Sequence, residues 1–337
     1  MRQIRRLNNE SAGFVNDVSY IIAKEFWKNP FLIPNTTQDK STFIFSDYSF
    51  IRNYKTYSFL IIGRSSADYF NMARKIIRKD FNLKNRRMSF KGLNDKNKSS
   101  ALFPFLSCAG AMDGLLITYA VDSKIKYLFA EQFLEVWQEL KSLNKKNLEE
   151  LLRIAHFGGM SIMNAYNGAQ NIIWITDNDA FVANENYKQL FGRIAETLIR
   201  NNFLKGEEIC KVGFGTTDID NGSLELEDFT SIPDLAAGAI CDMLNELYRK
   251  GLHITSKIIL QKPNVKDKTN IICQWIAQTM CPLKKIGIVF DKFGDGKYDF
   301  RPTGFTLQNL NYNPCGPICN ARRGSLIYDP IHFDFEE

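Results

Sequence analysis

Histidine is nearly absent from the chain: His156, His253 and His332 are the only three in 337 residues. So few imidazoles argue against a histidine-based metallohydrolase and against a Ser-His-Asp triad. Cysteine is scattered, at 108, 210, 241, 273, 281, 315 and 319. An odd count without dense spacing predicts reduced thiols in a cytoplasmic protein rather than a disulfide framework. Only Cys315 and Cys319 lie close together, in NPCGPICNA. Cys273, Cys281 and His332 would be needed to complete a zinc set, and their irregular spacing favours a Pro/Gly-rich loop instead. No stretch approaches the roughly 18 uncharged apolar residues of a membrane span. The basic N-terminus, MRQIRRLNNESAGF, lacks the apolar centre of a secretory signal. There is no glycine period, sustained heptad or internal repeat. Neither GxxxxGK[ST] nor GxGxxG occurs, which weakens a nucleotide-processing reading.

What is present is ordinary globular material. Hydrophobic residues make up 45% and charged residues 24%, so wholesale disorder is excluded. The length allows two domains or one large one with insertions. A net charge of +6 permits a nucleic-acid partner without demanding one.

Hydrophobic periodicity divides the chain into three parts. Residues 1–41 read as a helix (Glu10 to Trp27) and a polar linker. Residues 42–250 alternate strands and helices. Thr42–Ser46 and Thr56–Gly63 form an antiparallel hairpin, because their connection is too short for a crossover. An amphipathic helix follows from Ser66 to Phe81, with Ser66 as its N-cap. Arg86–Lys91 alternates and reads as a further strand. A helix over Ser99–Met112 leads to the strand Leu115–Val121. Residues 127–167 form a helical insertion with a break near Leu143–Lys146. NIIWIT (Asn171–Thr176) is a buried-type strand, and a helix, the strand Ile209–Gly215 and a helix from about Pro233 to Lys250 complete this part. Residues 251–337 form a smaller α+β extension, with a hairpin around the turn Phe293-Gly-Asp-Gly296. The whole predicts an α/β fold with a mixed sheet flanked by helices.

Three acids stand where chemistry can use them. Asp47 follows the apolar strand TFIFS. Asp177 follows NIIWIT, with Asp179 two residues on. Asp234 opens the late helix in SIPDLAAG. Singly, each also reads as a turn former or a helix cap. Together they are more informative, and their hard oxygen donors suit Mg²⁺ or Mn²⁺.

The order of hairpin, basic helix, strand–Asp and late helix resembles the RNase-H-like family catalogued as domain of unknown function 3800. Ser46-Asp-Tyr-Ser49 resembles the family's Asp-Glu-Ser motif, Pro233-Asp-Leu-Ala-Ala-Gly238 its Ala-Asp-Leu-x-Ala-Gly motif, and Asp177 its intermediate acid. The resemblance covers about residues 42–250. It implies an RNase-H-like fold and a metal-dependent nuclease acting on RNA or DNA, with Asp47, Asp177 and Asp234 as metal-holding catalytic residues and Asp179 as an auxiliary. Family members occur in mobile elements and defence loci, so a role in bacterial antiviral defence belongs to the same expectation. The chain departs from the pattern at Tyr48, where the family has an acid. Either a ligand is missing or Asp179, Asp95 or Glu246 supplies it. The alternative is therefore a catalytically degenerate adaptor that binds nucleic acid or a protein partner without cleavage. A homo-oligomer is also compatible.

Charge is unevenly spread. Between Arg64 and Lys98 there are eleven basic residues against Asp68, Asp80 and Asp95. Beside an acidic centre, such a segment fits a phosphodiester backbone, with Arg86, Arg87 and Lys91 as the contacts. Tyr48, Phe50, Tyr54 and Tyr57 interleave with Arg52 and Lys55, and cross-strand packing is the favoured reading over base stacking. The opposite pole, Glu207 to Asp234, carries eight acids against Lys211 and reads as a solvated loop.

Overall fold

A computed structural model describes residues 7, 13–28, 33–36, 38–130, 144–177, 185–220, 222–252, 257–259 and 265–308. Asp179, the Cys315/Cys319 pair, His253, His332 and residues 131–143 of the expected insertion lie outside them.

The fold is α/β. The strands are β1 (Ser41–Ile51), β2 (Tyr54–Gly63), β3 (Gly114–Asp122), β4 (Gln170–Thr176), β5 (Ile209–Thr216), β6 (Lys257–Ile259), β7 (Leu283–Lys292) and β8 (Phe300–Gln308). They lie in the order β5-β4-β1-β2-β3-β7-β8-β6. Seven make one mixed sheet, and the short β6 runs parallel to β8 at its margin. The hairpin β1–β2 turns through two residues, Arg52 adopting a left-handed φ of 59°. β4 is parallel to β1, β5 parallel to β4, and β3 antiparallel to β2. The C-terminal hairpin β7–β8 adds to this same sheet, β7 pairing in parallel with β3.

Helices cover both faces. On one side lie α1 (Gly13–Lys28), α4 (Lys145–Met163) and α5 (Glu185–Leu198). On the other lie α2 (Arg64–Asp80), α3 (Lys96–Gly110), α6 (Glu225–Arg249) and α7 (Asp267–Ala277). Strand alternation sorts the side chains between them. Ile44 and Trp174 face the first layer, whereas Phe45 and Ile175 face the second. Among the described residues no helix is long and apolar enough to cross a membrane.

Two expected elements differ. Residues 86–90 form no strand. The Met88/Phe90 alternation reflects burial against α6, and side chains satisfy the backbone there. Ser231 Oγ donates to Met88 O, and Lys268 Nζ donates to Phe90 O at 2.8 Å. Lys91 begins a 3₁₀ turn over residues 91–94. The late helix does not start at Pro233. It starts at Glu225, after Leu224 in a left-handed conformation (φ 56°), and Pro233 sits inside it. Glu225, Glu227 and Asp228 fill its first turn, where acids complement the helix dipole. Asp220 Oδ2 accepts from Leu226 N at 2.8 Å and Glu227 N at 3.2 Å, capping α6.

Candidate active site

Asp47 and Asp177 reach the same place from adjacent strands. The parallel register of β1 and β4 ends at Ser46 opposite Thr176, so the two aspartates follow side by side. By alternation Asp47 falls on the α6 face of the sheet, with Phe45. Both carboxylates converge on one guanidinium. Arg87 Nη2 donates to Asp47 Oδ2 at 2.8 Å, and Arg87 Nη1 donates to Asp177 Oδ2. Tyr48 N donates to Asp47 Oδ1 at 2.6 Å, and Thr217 Oγ1 donates to Asp177 Oδ1 at 3.1 Å. The Asp47 side chain is 5% exposed.

Asp234 joins them from the middle of α6, not from a helix start. Its Oδ2 accepts the Phe90 N–H at 2.6 Å, and its charge faces Arg87, Asp177 and Lys91. Gly238, one turn on, leaves room for the Phe90 ring, which a Cβ would strike. Burial raises the Asp234 carboxyl above its ordinary range. The Phe90 N–H and Arg87 counter that, while Asp177 adds to it. Burial also opposes the charge on Arg87, but Asp177, Asp47 and Asp234 hold its guanidinium more firmly protonated than usual.

Glu227, which the sequence places in an acidic loop, lies in the first turn of α6. It precedes Asp234 by seven positions and Ser231 by four, so all three share one face of α6. Its carboxyl is raised chiefly by burial; Arg87 lowers it, and Asp177, Asp220 and Asp228 push it up. The neighbouring Asp228 turns elsewhere. It is buried and accepts from Arg74 Nη1 at 3.0 Å and Arg78 Nη1 at 2.8 Å, tying α2 to α6.

Of the expected phosphate contacts, Arg86 is engaged within its own loop. It pairs with Asp95 and donates to Leu83 O and Asn82 O. Arg87 is the counter-ion of the carboxylates, and its Nε is buried without a hydrogen-bond partner among the described residues. Lys91 is exposed, and its charge faces Asp234. Tyr48 points through the sheet away from Asp47. Its hydroxyl lies 3.0 Å from Ser46 Oγ and accepts from Thr176 Oγ1 at 3.2 Å, while its ring packs near Tyr57 and Phe59. Side chains at 47 and 48 face opposite ways on a strand, so an acid at 48 in this backbone would not face Asp47's partners.

Carboxylate oxygens fit a hard divalent ion in kind. In spacing they are set by the guanidinium between them, and the described residues contain no group of three acids, histidines or cysteines at ligand distances. A divalent ion therefore requires Arg87 to move aside. No protein-family model matches the chain, and a search of curated proteins gives no match.

Proposed function

We propose that this chain is a metal-dependent nuclease on an RNase-H-like fold. One observation carries the reading: Asp47 and Asp177, side by side after the last paired residues of the adjacent parallel strands β1 and β4, converge on a single cation position beside Asp234 and Glu227 of α6. The central first strand, its parallel neighbour and a late helix crossing both is the convergence that such a fold uses. Asp47, Asp177 and Asp234 would hold Mg²⁺ or Mn²⁺, which when bound activates water and stabilises the leaving oxygen of a phosphodiester. The chain's own part is to place the carboxylates and to keep them neutralised through Arg87 when no ion is present.

Arg87 also favours a second reading. A guanidinium across the two carboxylates is what a non-cleaving member, kept as a nucleic-acid or protein adaptor, would need for stability. Purified full chain with Mg²⁺ or Mn²⁺ separates the two. The nuclease should cleave single-stranded RNA, DNA or a hybrid, and Asp47→Asn should lower the rate by orders of magnitude with an unchanged circular dichroism spectrum. Binding without cleavage of any of these substrates assigns the chain to the adaptor.

A further inference from the structure

With Arg86 closing its own loop and Arg87 committed to the carboxylates, three lysines remain around the backbone segment that holds Asp234. Lys91 stands exposed on the turn 91–94. Lys98, in the first turn of α3, lies across the same turn, its Nζ 2.8 Å from where a Cβ on Gly92 would stand. Lys268, in the first turn of α7, donates to Phe90 O at 2.8 Å and sits 4.5 Å above the centre of the Phe90 ring. The N–H of that same Phe90 holds Asp234. Lys98 and Lys268, from two separate helices, thus lean on one short segment that itself carries Lys91 and whose backbone positions a site carboxylate.

A solvated helix face would send these side chains outward. Instead, Lys98 and Lys268 are drawn in over the backbone of residues 90–92. Lys98 also stands among cations. Partial burial lowers the Lys98 ammonium, and Arg86, Arg87 and Arg78 lower it further against the pull of Asp95. Burial also lowers Lys268, as does Lys266 beside it, while Asp242 and Asp234 act the other way. An anion beside Lys98 would relieve that repulsion.

We propose that Lys91, Lys98 and Lys268 form a grip for the phosphate backbone of a nucleic acid beside the Asp47/Asp177/Asp234 carboxylates. The proposal rests on the reading of those carboxylates as a phosphodiester site. Ammonium groups act as point charges, so the grip positions a strand without reading its sequence.

The test measures binding of labelled, mixed-sequence single-stranded RNA and DNA by the full chain in EDTA across a salt series. Each lost phosphate contact flattens the plot of log K against log salt by about 0.7 for a single strand. Replacing Lys91, Lys98 and Lys268 together by Ala should lower the slope by about 2 and weaken low-salt binding at least tenfold. Replacing all three by Arg should restore both. A matched variant, Lys75, Lys79 and Lys205 to Ala, removes equal charge from exposed positions elsewhere and should leave the slope unchanged. An unchanged slope in the first variant, or an equal loss in the matched one, overturns the grip. Cleavage retained beside an unchanged slope removes the grip and leaves the nuclease standing. A wild-type chain that neither binds nor cleaves RNA or DNA removes both.

Discussion

At the scale of single residues, Arg87 sets the state of the site. Asp47 is almost fully buried, and a buried carboxylate needs a compensating charge. Replacing Arg87 by Met keeps much of the side-chain length and removes that charge. In EDTA the variant should lose about 2–3 kcal/mol of stability, at or just below the bottom of the range for breaking a fully buried pair, because Arg87 itself is 26% exposed. Mn²⁺ should then raise the melting temperature of Arg87→Met more than that of the wild type, since the ion no longer competes with a guanidinium. A Mn²⁺ shift no larger than that of wild type would mean that the carboxylates do not hold a metal. The three aspartates were legible because each follows an apolar run or sits in a small-residue helix, although β1 continues past Asp47, which pairs with Ser58 inside it. The role of Arg87 was not, because it joins partners 40 and 90 positions away in the sequence. Glu227 was hidden by a misplaced helix start. With α6 begun at Glu225, the spacing Glu227, Ser231, Asp234 would have shown one helical face.

At the scale of elements, the clearest case is the start of α2. β2 runs directly into α2 through Gly63, and α2 has no cap of its own. Ser66, the expected N-cap, is already inside the helix and donates to Asp113 O at 3.0 Å. Asp39 serves instead, from the loop before β1. Its Oδ1 accepts from Ser65 N at 3.0 Å, and its carboxylate lies where a side chain at Gly63 would project. Asp39→Ala should therefore cost about 1 kcal/mol, and Asp39→Asn less, as read from urea unfolding midpoints. A loss below about 0.3 kcal/mol in the Ala variant would assign the cap to water. Capping in trans leaves no local signature, which is why the sequence pointed to the nearest serine. Strands fared better than helix starts, because their apolar runs coincide with the paired registers of β1 to β5. Pro233 misled for a related reason. Proline is common at the first helical position, and here it is tolerated nine residues into α6.

At the scale of the whole molecule, stability against acid turns on groups of opposite sign. Asp234, Glu227, Asp228 and Glu149 all have carboxyls raised chiefly by burial. A raised acid favours the folded state below its unfolded pKa and loses that contribution as pH rises through the folded value. His156 acts the other way. It is fully enclosed among Phe14, Phe129 and Phe203, its Nδ1 is 2.8 Å from Leu152 O, and burial pushes its pKa down to about 4. Its unfolded value is near 6.5, so the contribution is complete above pH 6.5 and is lost as pH falls toward 4. Total stability mixes both signs, so the informative quantity is a difference. His156→Phe keeps an aromatic ring in the same box and removes the titration. Subtracting its unfolding free energy from that of wild type at each pH should give a curve that is flat above pH 7 and falls by about 2 kcal/mol on reaching pH 5. A curve flat down to pH 5 would mean that His156 gains a proton in the folded state as readily as in the unfolded one. The core between the sheet and α4 would then admit water or a counter-charge that the packing around His156 excludes.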